Sequence, residues 1–330
     1  MISVHTGSRL HFGLFSLPAE HAGPWLNQEG EPTIPRRQFG GVGLMIDSPG
    51  IELTVEEATS WSAEGPLAQR AMDFAQTYCS AVGIHEPFHL RIESAAPEHA
   101  GLGTGTQLGL AVAHAIAQLT RQPARDGETL ARHTKRGLRS ALGVHGFEHG
   151  RFLVEGGKTS GDAISPLLIR RDVPEDWQLL LITPHELPAM HGRREIDAFA
   201  ELAKRPPDDR TTDSLCRLVL LGMLPALMDG DLPAFGEALY DFNRRVGMMF
   251  QPAQGGLYAH PRIEEIVKTI RGFGVKGVGQ SSWGPTIFAF VPFGEAVLLR
   301  NWLMLNHGIG KEEMTITKAC NHGAVLSTEY

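Results

Sequence analysis

The sequence predicts an α+β fold in which strands and helices segregate rather than alternate strictly. Four short β-rich segments fill the first 60 residues, and helical patterns run one after another from 193 to 273. Strands return only after residue 275. This divides the chain into a mixed α/β part, 1–185, and a helix-rich α+β part, 186–330.

Segments 2–5, 10–15, 43–46 and 51–57 are rich in β-formers and separated by Gly, Pro and Asn, which predicts strands. Residues 18–40 form a polar, Pro/Gly-rich loop ending in IPRRQFGG; a loop of that length is commonly a lid or binding loop. Apolar spacing predicts a helix over 67–82 and alternation predicts a strand over 88–94. An apolar helix follows over 106–119 and a more basic one over 128–142. Segments 151–154 and 178–183 read as strands. Helices are predicted over 193–204, 213–228, 232–246 and 261–273, with KRPPDDRTTD (204–213) as an exposed linker. Strands at 275–279, 286–291 and 314–317 flank a last helix at 294–306. No internal repeat or low-complexity tract is present.

The 37 acidic against 30 basic residues leave a net charge of -7, which argues against nucleic acid or an anionic membrane as the main partner. Cys79, Cys216 and Cys320 are too few and too scattered for a disulfide framework or a zinc motif, and they fit a reducing cytoplasm. The first residues lack the basic start and apolar run of a signal peptide. No window reaches about 18 uninterrupted apolar residues, so no membrane span is expected.

The segment PEHAGLGTGTQ (97–107) lies between a predicted strand and a predicted helix. The first amides of a helix lack internal acceptors, and its dipole favours an anion there. Glycines admit a phosphate close to the backbone, and threonine hydroxyls add donors. Gly101, Leu102, Gly103, Thr104, Gly105, Thr106 and Gln107 are therefore candidate phosphate ligands; a simple strand-to-helix turn is the other reading. The loop has neither the Gly-Lys-Ser/Thr of a Walker loop nor a dinucleotide fingerprint.

Pro97, Gly101, Leu102 and Gly103 resemble the Pro-x-x-x-Gly-Leu-Gly-Ser-Ser-Ala motif of the GHMP small-molecule kinase superfamily. Thr104, Gly105 and Thr106 replace its serines and alanine. SRLHFGLFSL (8–17), FGGVGLMID (39–47), GVHGFEHGRFLVEGG (143–157), GVGQSSWGPTIF (277–288) and ITKACNHGA (316–324) are similar to one family within it, the β-ribofuranosylaminobenzene 5′-phosphate synthases. The resemblance runs in order over nearly the whole chain. It implies the superfamily's two-layer α+β fold, which in the kinases binds ATP. It also implies condensation of phosphoribosyl pyrophosphate with 4-aminobenzoate, releasing pyrophosphate and carbon dioxide in tetrahydromethanopterin biosynthesis. Magnesium, a cytoplasmic homodimer and small-molecule partners are implied as well.

Such a donor needs two anion sites. The resemblance carries the second onto Gly279, Gln280, Ser281 and Ser282. Arg9 and His11 share one strand face, where a guanidinium can grip phosphate oxygens and an imidazole can donate to a leaving group. Arg36, Arg37, Arg136 and Arg139 are further cations, read first as a solvated face. Glu155, at a strand end before two glycines, is the candidate magnesium ligand, with Asp162 the alternative acid and Lys158 a counter-charge for pyrophosphate. Trp283 is a candidate wall for an aryl ring, and Asn243, Arg244, Asn321 and His322 are candidate substrate contacts. The acceptor's para substituent serves as its own electron sink, so no pyridoxal phosphate is expected. An ATP-dependent kinase of a small alcohol, with Asp162 as base, and a non-catalytic sensor of phosphorylated metabolites are the competing functions.

Overall fold

The computed structural model describes residues 1–17, 25–26, 29–30, 32–34, 37–123, 125–159, 164–185, 187, 192–204 and 209–328. Asp162, Arg36 and most of the 18–40 loop lie outside them. Strands β1 (Ile2–Leu14) and β4 (Gly41–Glu57) pair antiparallel and form the spine of a seven-stranded sheet. Between them in sequence, β2 (Trp25–Leu26) and β3 (Pro32–Ile34) pair with each other. Next come β5 (Ser62–Glu64), α1 (Ala68–Val82), β6 (Phe88–Ser94), α2 (Thr104–Leu119), α3 (Gly127–His133), α4 (Leu142–His149), β7 (Phe152–Glu155) and β8 (Leu167–Arg171). Strand β9 (Trp177–Ile182) opens the second sheet. Then follow α5 (Arg193–Ala203), α6 (Asp209–Leu218), a π-helical turn, α7 (Leu224–Asp229), α8 (Leu232–Gln254) and α9 (Pro261–Phe273). The chain closes with β10 (Gly277–Gln280), β11 (Ile287–Pro292), α10 (Glu295–His307), β12 (Met314–Lys318) and β13 (Val325–Thr328).

The first sheet runs β13-β1-β4-β6-β5, with β7 on the other half of β4 and β8 beside β7; the second runs β10-β11-β9-β12. The fold is α+β. The sheets do not divide at residue 185: β9 precedes that point yet joins the second sheet, and β13 returns to β1 in the first.

One apolar cluster joins the two sheets through Leu10, Phe12, Phe152, Trp177, Phe235, Phe242, Phe288 and neighbours. A second packs α1 and α2 on the first sheet, and a third packs α9 and α10 on the second. Helix α2 lies among β1, β4, α1, α3 and α4, which explains its apolar residues on nearly every face. The helical run 210–229 has the length and mean hydropathy of a membrane span. It carries Asp213 and Arg217, and it gives Leu215, Val219, Met223, Leu224 and Leu227 to the inter-sheet core.

Several sequence expectations are corrected. The predicted strands 2–5 and 10–15 are one strand, as are 43–46 and 51–57. The intervening glycines and polar residues sit at or beside one register shift, between Thr6 and Ser8 and opposite Ile46 and Ile51, rather than in turns; a second shift falls between His11 and Gly13. The predicted helix 128–142 stops at His133. Lys135 and Gly137 adopt left-handed conformations (φ 56° and 72°), so 135–141 leaves the helix as a loop before α4. Helix α8 runs past the predicted 246 to Gln254, and α6 begins inside the predicted linker. Strands β8 and β13, which the sequence did not signal, are edge strands with mostly exposed or half-buried residues.

Candidate active site

The 97–107 loop and the 280–284 turn meet backbone to backbone. A Cβ on Gly101 (φ 86°) would lie 2.2 Å from the Ser281 carbonyl oxygen. One on Gly284 would lie 2.1 Å from the Gly101 nitrogen. Ser281 Oγ donates to the Gly101 carbonyl (2.7 Å) and accepts from the His11 amide (3.0 Å). The Ser282 amide donates to the His11 carbonyl (3.0 Å). From α8, Asn243 Nδ2 donates to the carbonyls of Phe12 (2.8 Å) and Gln280 (2.9 Å), and its Oδ1 accepts from the Gln280 amide (3.0 Å). β1, both turns and α8 are therefore one hydrogen-bonded unit.

The two turns differ in what remains open. No backbone carbonyl among the described residues accepts from the amides of Gly101 to Gly105, whereas Thr106 and Gln107 donate to the Gly103 carbonyl. Arginine flanks two of these positions, while Gly101 abuts the 281–284 turn. A Cβ on Gly103 would meet Arg9 at 3.3 Å, and one on Gly105 would meet Arg70 at 2.4 Å and Arg136 at 3.5 Å. Helix-start amides beside guanidinium groups are chemically suited to an anion. In the second turn the Gln280, Ser281, Ser282 and Gly284 amides already have acceptors, and Gly279 pairs with Phe288 in the sheet. The expectation that Gly279, Gln280 and Ser281 cradle phosphate is corrected: they build the frame. Ser282, exposed beside the cavity, keeps its hydroxyl available. Leu102 is core, Thr104 donates to the Pro97 carbonyl, and Gln107 links Thr6 to Gly143. The side chains of these three residues are structural.

Beside this unit lies a cavity of about 310 Å³. One wall carries Arg9, Lys135, Arg136 and Arg139, with His11 and Thr106. The other is aromatic: Trp283 packs against Phe199 and Phe250 with centroids 4.8 Å apart in both pairs. Its indole Nε1 donates to Gln254 Oε1 (3.0 Å). Arg139 lies 5.1 Å over the Phe199 ring and pairs with Glu195, joining the two walls. Burial pushes Arg9 down to about 10 and Arg136 to about 10, the latter helped by repulsion from Arg70 and Arg139. Both remain cations at neutral pH, and Arg9 Nε is buried with no partner among the described residues. Burial, with Arg9 adjacent, holds His11 well below the usual histidine value, so its imidazole is neutral. The site can bind a polyanion against its cations and an aryl ring against Trp283.

Glu155 and Lys158 act on the 135–141 loop from behind. Glu155 is fully buried, and its oxygens accept from Ser140 Oγ (2.5 Å) and the Ala141 amide (2.7 Å). Lys158 is buried against the Phe39 ring and donates to the Leu138 carbonyl. Neither lines the cavity, so the expectations of Glu155 as metal ligand and Lys158 as pyrophosphate partner are corrected: they position the loop that presents Lys135, Arg136 and Arg139. Burial raises Glu155 to about 7. Its folded value lies above the unfolded value near 4.5, so its contribution is full below about 4.5 and is lost as pH rises through 7. Wild type should lose roughly 3 kcal/mol over that window relative to Glu155→Gln. Urea unfolding of both proteins at pH 5 and pH 8 measures the difference; parallel pH profiles would contradict it.

Other expected contacts fall elsewhere. Arg244 pairs with Asp241 (3.0 Å) one helical turn away. Arg37 is exposed and holds the Gly157 carbonyl (2.8 Å). Asn321 Oδ1 accepts from the Val173 amide (2.9 Å) and its Nδ2 donates to the Val173 carbonyl (2.8 Å), pinning a loop. His322 packs beside Cys320. None of the four lines the cavity. Sequence reading missed Phe199, Phe250, Glu195, Lys135 and Tyr258, which come from three separate segments. Tyr258 has a buried hydroxyl with no partner among the described residues. For magnesium, Glu195 is the carboxylate on the cavity wall among the described residues. One carboxylate with substrate phosphate oxygens is a donor set magnesium accepts.

Comparison with known proteins identifies the fold and the family. Residues 67–150 match the GHMP kinases N terminal domain and 223–302 match GHMP kinases C terminal. Among solved structures, homoserine kinase from Cytophaga hutchinsonii superposes with a TM-score of 0.67 at 16% identity, covering 99% of this chain and 97% of that one. Mevalonate diphosphate decarboxylase from Staphylococcus aureus gives 0.66 at 12% identity, covering 99% of each. These likenesses show the fold. The beta-ribofuranosylphenol 5'-phosphate synthase of Methanothermobacter thermautotrophicus is 31% identical, with 87% of each chain covered. That of Archaeoglobus fulgidus is 30% identical, with 99% of each covered. On a GHMP-kinase fold, with its glycine loop and aromatic cavity side by side, the chain belongs to the beta-ribofuranosylphenol 5'-phosphate synthase family.

Proposed function

We propose that this protein catalyses decarboxylating ribosyl transfer from phosphoribosyl pyrophosphate to a para-substituted benzoate, giving a C-riboside 5′-phosphate, pyrophosphate and carbon dioxide. The observation that carries this reading is the single cavity with Arg9, Arg136 and Arg139 on one side and the Phe199–Trp283–Phe250 stack on the other. As the C1–oxygen bond of the donor breaks, its electron pair leaves with pyrophosphate. Arg9 and Arg136 on the cavity wall stabilise that charge where it develops, with the positive end of α2 adding to it from Thr106. The carboxyl-bearing ring carbon bonds to C1, and the para amino or hydroxyl group takes up the positive charge. Loss of carbon dioxide returns the ring–carboxyl electron pair and restores aromaticity. Glu195 and the hydroxyl of Ser282 would hold magnesium, which would supply charge neutralisation to the leaving pyrophosphate; the Thr106 hydroxyl is taken by Arg136 (3.1 Å). The acceptor's own electron sink makes pyridoxal phosphate unnecessary.

The relatives are named for a phenol product, which favours 4-hydroxybenzoate; the 4-aminobenzoate reading rests on the sequence resemblance. Comparing pyrophosphate release with each acceptor decides between them, and release without any acceptor would count against transfer. Trp283→Ala should raise the acceptor KM about tenfold or more through lost aromatic contact, with the donor KM nearly unchanged. Steady-state kinetics varying one substrate at a time checks it; equal rises in both would remove Trp283 from the acceptor slot. The kinase reading is weaker, because the relatives at about 30% identity over most of the chain are named for a synthase rather than a kinase. The proposal includes a cytoplasmic setting, in keeping with three free cysteines, and a homodimer. Exposed Leu220, Leu221 and Met228 support an interface.

A further inference from the structure

His322 and Cys320, which the catalytic reading does not use, stand beside Asp47 on β4. We propose that Asp47, Cys320 and His322 form a binding site for a thiolate-seeking divalent cation of the zinc class, separate from the catalytic cavity. One ligand atom from each lies within 4.8 Å of the others. Zinc bonds of about 2.0–2.3 Å place tetrahedral ligand atoms about 3.3–3.8 Å apart. Cys320 Sγ stands 3.7 Å from both ring nitrogens of His322 and donates to the His322 carbonyl (3.2 Å); binding replaces that bond, turns Nε2 toward the sulfur, and draws the half-buried Asp47 carboxylate in by about 1 Å. His322 Nδ1 donates to the Gly323 carbonyl (2.8 Å). That bond places the ring proton on Nδ1 and leaves the Nε2 lone pair for a metal, as the outer partner of a ligating histidine does. Thiol, imidazole and carboxylate together select zinc or cobalt over magnesium. On binding, Cys320 releases its thiol proton to solvent and the sulfur lone pair goes to the metal. Three protein ligands leave a fourth position for water.

The location suggests what the ion would do. Residues 319–324 carry the chain from β12 in the second sheet to β13 in the first, and the Cys320 amide donates to the Met45 carbonyl on β4 (2.8 Å). A metal there ties this crossing to β4. Lys318 Nζ, 3.8 Å from Asp47 and 3.6 Å from Glu175, is the competing cation, so Lys318→Met should bind metal more tightly than wild type. The test is a cobalt titration of the chelator-treated full chain. A sulfur-to-cobalt charge-transfer band should rise to a plateau at equimolar metal. It should vanish in Cys320→Ser, weaken about tenfold or more in His322→Ala, and persist in Cys79→Ser. His322 is exposed, so its variant should fold even if Cys320→Ser does not. Zinc should quench the band and shield Cys320 from alkylation. No saturable band, or a band unchanged in His322→Ala, overturns the site.

Discussion

Arg9→Ala is expected to lower kcat/KM for ribosyl transfer by about 10²–10³-fold, the cost of removing one donor aimed at developing charge in a water-poor site. Arg9 stands where β1, the glycine loop and the cavity converge. Its amide donates to the Leu102 carbonyl (2.8 Å), and a Cβ on Gly103 would touch its side chain at 3.3 Å. Its buried Nε has no partner among the described residues, an arrangement that costs free energy unless an anion completes it. Arg9→Lys should restore only part of the loss, because an ammonium cannot reproduce the two-pronged grip of a guanidinium. Circular dichroism with steady-state kinetics separates this from misfolding. A folded Arg9→Ala enzyme within about threefold of wild type would remove Arg9 from the chemistry.

Gly101→Ala should destabilise the protein by about 3 kcal/mol or more and abolish turnover with it. Two costs combine: the left-handed backbone at Gly101, roughly 1–2 kcal/mol for a residue with a Cβ, and overpacking, roughly 1–3 kcal/mol. The overpacking is specific, since the new carbon would meet the Ser281 carbonyl oxygen at 2.2 Å. Gly83→Ala is the matched comparison. Gly83 is also left-handed (φ 74°), but a Cβ there meets nothing within 4 Å, so it should show the backbone cost alone. Urea unfolding of the two variants isolates the contact between the turns. Equal losses would mean that the turns do not depend on each other.

The parts of the site that were legible in sequence are those with local causes. A glycine-rich helix entrance announces itself through Gly101, Gly103 and the preceding strand, and the paired positions of Arg9 and His11 follow from strand alternation. Trp283 was placed through resemblance, and the structure sets it in the aromatic wall. Arg136 and Arg139 were misread for a physical reason: helical spacing continues through 128–142, but Lys135 and Gly137 take left-handed conformations and turn the segment into the cavity. Glu155 looked like an acid at a strand end, and only tertiary packing reveals that Ser140 and Ala141 occupy its oxygens. The Ser281 turn looked like a phosphate cradle because Gly and Ser also serve as ordinary turn residues; its amides turn out to be committed to the Thr286 and His11 carbonyls and to the Asn243 side chain. Asn321 and His322 carried no local mark of distance from the cavity.

The most direct measurement follows the carboxyl carbon. Enzyme, magnesium, phosphoribosyl pyrophosphate and carboxyl-labelled acceptor should release labelled carbon dioxide in step with pyrophosphate, only when both substrates are present, and with no dependence on ATP. Retention of the label in the product, or formation of ADP from ATP and a small alcohol in place of carbon dioxide release, would contradict the account.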